Sequence, residues 1–305
     1  MPTSKSSLIN LSQYSKQKIE VLFSESLLLK STKKSRASNG IVPIRKIAAL
    51  LFFEPSTRTR FSFETACVRA GVHPLILTGN AGTSLEKGET FADTIYNLEA
   101  MRPDLFVIRC NSTLDLNEIT HQLNVPVINA GWGSASHPTQ ALLDTLTLFE
   151  KWNTLEKKKI LFLGDVKHSR VVNSHLELAK ILGYQIGVCA PDDFLPSQDS
   201  LKSFTYFKTL QHGLEWADAV MALRVQKERH DSYEFNLQNY RKSYALNSQN
   251  LLGLKADGWI MHPGPINYGV ELEHEVLADR RSLVLAQVEN GVFLREALIR
   301  NLLKE

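Results

Sequence analysis

Lys46-Ile47-Ala48-Ala49-Leu50-Leu51-Phe52-Phe53-Glu54-Pro55-Ser56-Thr57-Arg58-Thr59-Arg60 is the stretch on which the fold reading turns. Its aliphatic and aromatic run, Ile47 to Phe53, is continuous and reads as a buried parallel strand. Pro55 ends the strand, and Ser56 stands where a helix N-cap belongs. From Thr57 to Ala70, apolar residues near i, i+3, i+4 spacing continue as a helix. A helix that begins at a strand's carboxyl end aims its unpaired first-turn N–H groups, and the positive end of its dipole, into the crevice where open α/β sheets take ligands. The hydroxyls of Ser56, Thr57 and Thr59 and the guanidinium of Arg58 make that turn a cradle suited to a phosphate.

The same alternation runs along the chain. Short aliphatic runs at Leu75 to Leu77, Leu105 to Ile108 and Val125 to Ile128 read as further buried parallel strands. Helical periods at Glu89 to Met101, Leu116 to Leu123 and Pro138 to Trp152 supply the crossovers between them. After a polar, Lys-rich break at Asn153 to Lys159 the pattern restarts, with strands expected at Ile160 to Leu163, Gln185 to Ala190, Ala219 to Leu223 and Trp259 to Met261. Parallel strands need crossover connections and cover on both faces, so the expected fold is α/β: two open, mostly parallel, doubly wound, Rossmann-like sheets. Amphipathic helices open and close the chain at Lys16 to Lys30 and Leu283 to Leu303, and both are expected to pack on the first domain. The domains are expected at 1–150 and 151–285, with 286–305 returning to the first. Ser31 to Gly40 reads as a solvated basic loop.

The chain of 305 residues is 43% hydrophobic and 22% charged. That composition fits about two globular domains and excludes fibrous, coiled-coil and largely disordered classes. A net charge of +3 is too small to require a nucleic-acid partner, so any cationic site is local. The longest apolar run, Ile47 to Phe53, is far short of a bilayer span, and nothing of signal-peptide type follows Met1. Cys67, Cys110 and Cys189 stand singly and read as buried thiols of a cytoplasmic protein.

His137-Pro138-Thr139-Gln140 repeats the strand-to-helix geometry after the Ala130-Gly131-Trp132-Gly133 turn, with Pro138 suited to the first helical position. His137 is therefore expected at the mouth of the same sheet, and Arg109, following Leu105 to Ile108, at the same edge. With Ser84-Leu85-Glu86-Lys87-Gly88-Glu89, Gly164 to Arg170, Arg224-Val225-Gln226 and His262-Pro263-Gly264-Pro265, these motifs occur in one order over nearly the whole chain. On them the sequence resembles the aspartate/ornithine carbamoyltransferase family, and its aspartate branch more closely.

The resemblance implies transfer of the carbamoyl group from carbamoyl phosphate to the amine of L-aspartate, an early step of pyrimidine synthesis. It implies a carbamoyl phosphate site made by Ser56, Thr57, Arg58, Thr59, Arg109, His137, Gln140, Gly264 and Pro265, with Ser84 delivered by a neighbouring subunit. Thr59, Arg109 and His137 would donate to the carbonyl oxygen, and Gln140 would hold the carbamoyl amide. Arg170, Arg224 and Gln226 would bind the aspartate carboxylates, helped by Lys87 from the neighbouring subunit. Neither a metal nor a cofactor is required. Active sites between subunits imply a homotrimer. The Gly264 form of its loop resembles members that assemble with dihydroorotase or a dihydroorotase-like chain.

Alternatives are a sister enzyme acting on ornithine, a non-catalytic scaffold and a nucleotide-binding regulator. Ornithine members usually carry His-Cys-Leu-Pro where this chain has His262-Pro263-Gly264-Pro265. A scaffold would show eroded positions, yet Arg58, Lys87, Arg109, His137, Arg170 and Arg224 are all present. Gly164-Asp165-Val166 follows a strand without a Gly-x-Gly-x-x-Gly or Walker A pattern. One departure stands out: Tyr268 follows Asn267 where many relatives have arginine.

Overall fold

The computed structural model describes residues 6–32, 46–79, 82–225 and 237–304. Gln226 and positions 33–40 of the basic loop lie outside them. Two compact units divide the chain, one from 1–146 with 288–305 and the other 147–287; the chain passes between them within two helices.

The first unit begins with α1 (Lys16–Thr32) and β1 (Lys46–Phe52), whose last five residues are buried. Then follow α2 (Thr57–Ala70), β2 (Val72–Thr78), a 3₁₀ turn (Ser84–Lys87), α3 (Phe91–Ala100), β3 (Leu105–Cys110), α4 (Leu116–Gln122), β4 (Val127–Trp132) and α5 (Pro138–Trp152). Strand order is β2-β1-β3-β4, with every pairing parallel. Leu51, Phe106 and Ile108 on the sheet pack with Ile95, Leu116 and Ile119 from the covering helices. Each large side chain so buried stabilises the fold by about 1.5–3 kcal/mol.

Leu75 to Leu77 form part of a strand, but not a buried one. β2 lies at the sheet edge, and Leu75 and Ile76 are 50% and 45% exposed. An edge strand has one neighbour in the sheet, and its local sequence does not announce that position.

The second unit comprises β5 (Lys159–Leu163), α6 (Arg170–Leu182), β6 (Gln185–Cys189), α7 (Gln198–Leu201), β7 (Thr205–Tyr206), α8 (Leu210–Trp216), β8 (Ala219–Ala222), α9 (Leu237–Tyr244) and β9 (Trp259–Met261). Its parallel order is β7-β6-β5-β8-β9. Leu161, Leu163, Val220 and Ala222 form its core with Leu214, Leu251 and Ile260. Gly164 follows β5 at φ 105; a Cβ there would lie 2.5 Å from the Tyr240 hydroxyl and 3.2 Å from the Leu223 carbonyl oxygen. Only glycine fits that turn.

The last helix, α10 (Val284–Leu302), joins the first unit from Val288 onward. Lys30 Nζ donates to Asn290 Oδ1 at 2.8 Å and Asn301 Nδ2 to Glu25 Oε2 at 2.6 Å, tying α10 to α1. The buried Glu296 lies between Arg69 of α2, at 2.6 Å, and Arg300, at 2.8 Å. Both terminal helices thus pack on the first unit.

All three cysteines are buried free thiols. Burial pushes the Cys67 thiol up to about 12, with Glu64 adding to the effect, and burial pushes Cys189 up to about 12 as well. Among the described residues, no helix is long and apolar enough to cross a membrane.

Candidate active site

In each sheet the strand order reverses beside its earliest strand, between β1 and β3 in the first and between β5 and β8 in the second. Such switch points open a crevice at the carboxyl ends of the strands. Ser56, Arg109 and His137 stand at or next to strand ends of the first sheet, and Arg170 and Arg224 follow strand ends of the second.

In the first unit Ser56 occupies the N-cap of α2 with φ −162° and ψ 112°, but its side chain makes no capping hydrogen bond. The hydroxyl expected to close the helix instead leaves the first-turn N–H groups for another acceptor. Thr57 and Arg58 are exposed at this turn, whereas Thr59 is buried. Arg109 stands in register with Phe52 of β1, and Phe53 N donates to the Arg109 carbonyl at 2.9 Å. Its side chain is mostly buried, with Nε 3.7 Å from Glu54 Oε2. One acid thus offsets the charge of Arg109 at this edge.

The turn after β4 is built rigidly. Buried Asn129 donates through Nδ2 to Ile9 O and Ser136 Oγ, both at 2.8 Å, and accepts from Gly131 N at 2.8 Å. Gly133, at φ 45, donates to Cys110 O, and a Cβ there would fall 2.9 Å from Ser112 N. This turn delivers His137, 5% exposed, to the start of α5, where its carbonyl accepts from Gln140 N and Ala141 N. Gln140 Nε2 donates to Asp144 Oδ1 at 2.9 Å. Arg295 of α10 is buried. Burial pushes its guanidinium down to about 10, against the opposing pull of Asp144's charge.

Ser84 and Lys87 lie on the exposed 3₁₀ turn, which Gly88 closes at φ 93. Among the described residues, neither side chain makes a hydrogen bond or ion pair within the chain. The fold does not connect them to the Ser56, Arg109 and His137 group.

In the second unit Ser169 caps α6 by accepting from Val172 N, placing Arg170 at the first helical position after β5. Arg224 follows β8 on the neighbouring strand end. The next residue, Val225, donates its N–H to Glu271 Oε1 at 2.7 Å. The same carboxyl group accepts from Asn267 Nδ2 at 2.7 Å and from Asn267 N at 2.8 Å. Glu271 therefore fastens the Arg224 segment to the loop carrying Gly264 and Pro265. Burial raises its pKa, while the hydrogen bonds from Val225 and Asn267 oppose the rise. Within that loop Gly264 N donates to His262 Nδ1 at 2.8 Å, which leaves the ring proton of neutral His262 on Nε2. Tyr268 stacks on His274, with ring centroids 4.0 Å apart and planes 8° apart.

Sequence reading missed Glu271, Asp144 and Arg295. Asp144 lies four residues beyond Gln140 on one helix face, a spacing visible in advance. Glu271 and Arg295 act on residues distant in the chain, which no local pattern reveals. A cleft lined by Leu176, Lys180, Tyr184 and Phe204 opens beside the amino end of β6, opposite the carboxyl edge of its own sheet.

Residues 6–150 match the carbamoyl-P binding domain of aspartate/ornithine carbamoyltransferase, and residues 156–302 match its Asp/Orn binding domain. The chain is 45% identical over 263 residues to the aspartate carbamoyltransferase catalytic subunit of Chlorobaculum parvum, covering 84% of this chain and 85% of that one. Among solved structures it resembles Trypanosoma cruzi aspartate transcarbamoylase in complex with N-(phosphonacetyl)-L-aspartic acid. That likeness has a TM-score of 0.85 at 29% identity over 98% of this chain and 97% of the other. Thermus thermophilus ornithine carbamoyltransferase also matches, with a TM-score of 0.83 at 27% identity over 97% and 98%, so backbone shape does not distinguish the acceptor. Two family domains matched in order, together with a relative this similar over most of both chains, establish that the chain belongs to the aspartate/ornithine carbamoyltransferase family.

Proposed function

We propose that this chain is the catalytic chain of an aspartate carbamoyltransferase. It transfers the carbamoyl group of carbamoyl phosphate to L-aspartate, giving N-carbamoyl-L-aspartate and phosphate for pyrimidine synthesis. The observation that carries this reading is the first carboxyl edge, where the α2 N-terminus lacks a capping side chain and stands beside Arg109. Similarity to named aspartate enzymes and the His262-Pro263-Gly264-Pro265 segment favour aspartate over ornithine.

The donor already carries a good leaving group, so no protein nucleophile is needed. The neutral amine of aspartate attacks the carbonyl carbon, the C–N bond forms, and the C–O bond to phosphate breaks. The amine proton passes to the departing phosphate. Ser56, Thr57, Arg58, Thr59 and Arg109 hold the phosphate, and Gly264 and Pro265 complete the donor site. Thr59, Arg109 and His137 donate to the developing oxyanion, and Gln140 holds the carbamoyl amide. Arg170, Arg224 and Gln226 take the two carboxylates. Alignment supplies on the order of 7–11 kcal/mol, and one oxyanion donor about 2.7–4 kcal/mol. Positioning and fixed charge therefore suffice for most of the rate.

Ser84 and Lys87 serve a neighbouring subunit in a homotrimer. Their unpartnered side chains support this, as do the exposed apolar Phe61 and Val68 of α2 and Leu75 and Ile76 of the β2 edge. The Gly264 loop supports a further association with a dihydroorotase-like chain, and the buried thiols suit the cytoplasm.

Purified protein given carbamoyl phosphate should carbamoylate L-aspartate and not L-ornithine, and should sediment as three chains when alone. Product from ornithine alone would overturn the acceptor assignment. A fully active monomer would remove the shared site. Failure of a dihydroorotase-like chain to co-purify from native cells would remove that association.

A further inference from the structure

We infer that Asp144 is a positioning residue, which decides which end of the Gln140 side chain meets the carbamoyl group of the donor. The inference rests on the proposed function and deepens it.

The two ends of a glutamine amide are nearly equal in size but opposite in hydrogen bonding, one accepting and the other donating twice. A carbamoyl group presents its own NH₂, so only the glutamine oxygen can receive it. Asp144 is fully buried one turn along α5 and takes the Gln140 Nε2 donor at 2.9 Å. A carboxylate has only acceptors to offer, so this bond sets the amide: nitrogen toward Asp144, and oxygen away from it.

A buried cation also feels the Asp144 charge, which acts on the guanidinium of Arg295 in α10. The guanidinium is anchored by donation from Nη1 to Ser62 Oγ at 2.7 Å and lies 4.9 Å from the Phe63 ring centroid.

Acetyl phosphate reads this orientation, because it replaces the carbamoyl NH₂ with a methyl group and offers Gln140 no proton. The experiment compares kcat/KM for carbamoyl and acetyl phosphate, with aspartate as acceptor, in three folded proteins. Wild type is expected to prefer carbamoyl phosphate. Asp144→Asn lets position 144 donate as well as accept, so the preference should fall about five- to tenfold, the worth of one hydrogen bond. The double variant Gln140→Glu with Asp144→Asn reverses the polarity of the pair yet again turns an acceptor toward the donor substrate, and should restore the preference.

An unchanged preference in Asp144→Asn, or no restoration in the double variant, overturns the inference. A purely structural role would lower thermal stability and leave the ratio unmoved. Should Asp144→Asn fail to fold, Asp144→Ser, which also donates as well as accepts, takes its place: a lowered preference supports the inference, and an unchanged one overturns it. Absence of aspartate carbamoylation in wild type would instead refute the proposed function, so the two failures are distinct.

Discussion

Replacing His137 by alanine is expected to lower turnover by about 10²- to 10³-fold while the protein stays folded, the usual consequence of removing one oxyanion donor. His137 stands immediately before α5, and the start of that helix depends on its backbone carbonyl, which alanine retains. The ring is 5% exposed at an edge whose turn is already fastened by Asn129 and Gly133. Loss of the side chain should therefore cost catalysis far more than stability. A donor used in the transition state predicts that kcat and kcat/KM fall together. Steady-state kinetics beside a thermal melt measure both quantities, and unchanged turnover would remove His137 from the mechanism.

Arg58→Ala is expected to reduce kcat/KM for carbamoyl phosphate by about 10²- to 10³-fold, since a guanidinium bound to phosphate contributes one or two charge-assisted hydrogen bonds. Arg58 is exposed at the second residue of α2. A merely solvated arginine there would change stability by about 0.5 kcal/mol at most, and activity not at all. The two readings are thus widely separated. Full rate and full affinity for carbamoyl phosphate in this variant would refute the phosphate cradle.

Much of the architecture was legible because a parallel strand covered on both faces must be a continuous apolar run. β1, β3 and β5 are such runs, and Thr57–Ala70 and Pro138–Trp152 carry their helical periods openly. β7 was not legible: Thr205 and Tyr206 are exposed and too few to show a period. α9, Leu-Gln-Asn-Tyr-Arg-Lys-Ser-Tyr, buries only Tyr240 and reads as a polar segment. Leu75 and Ile76 look like core until strand order places them at an edge. At the site, residues on strand-to-helix turns could be found because the turn and its chemistry lie within one short segment. Glu271 could not, for its partner Val225 is 46 positions away and the bond exists only once two loops meet. The Ser56 hydroxyl shows the converse limit: its position was legible, but its lack of a capping bond was not.

The central claim is that one group of fixed charges grips a phosphorylated carbonyl donor and a second grips an acidic amine, so that the two react directly. Calorimetric titration with N-(phosphonacetyl)-L-aspartate, which joins a phosphonate to a dicarboxylate, tests it most directly. The account predicts binding to wild type in a ratio of one per chain, weakened about 10²-fold or more by Arg58→Ala and likewise by Arg224→Ala. No binding to wild type, or binding indifferent to both substitutions, would contradict it.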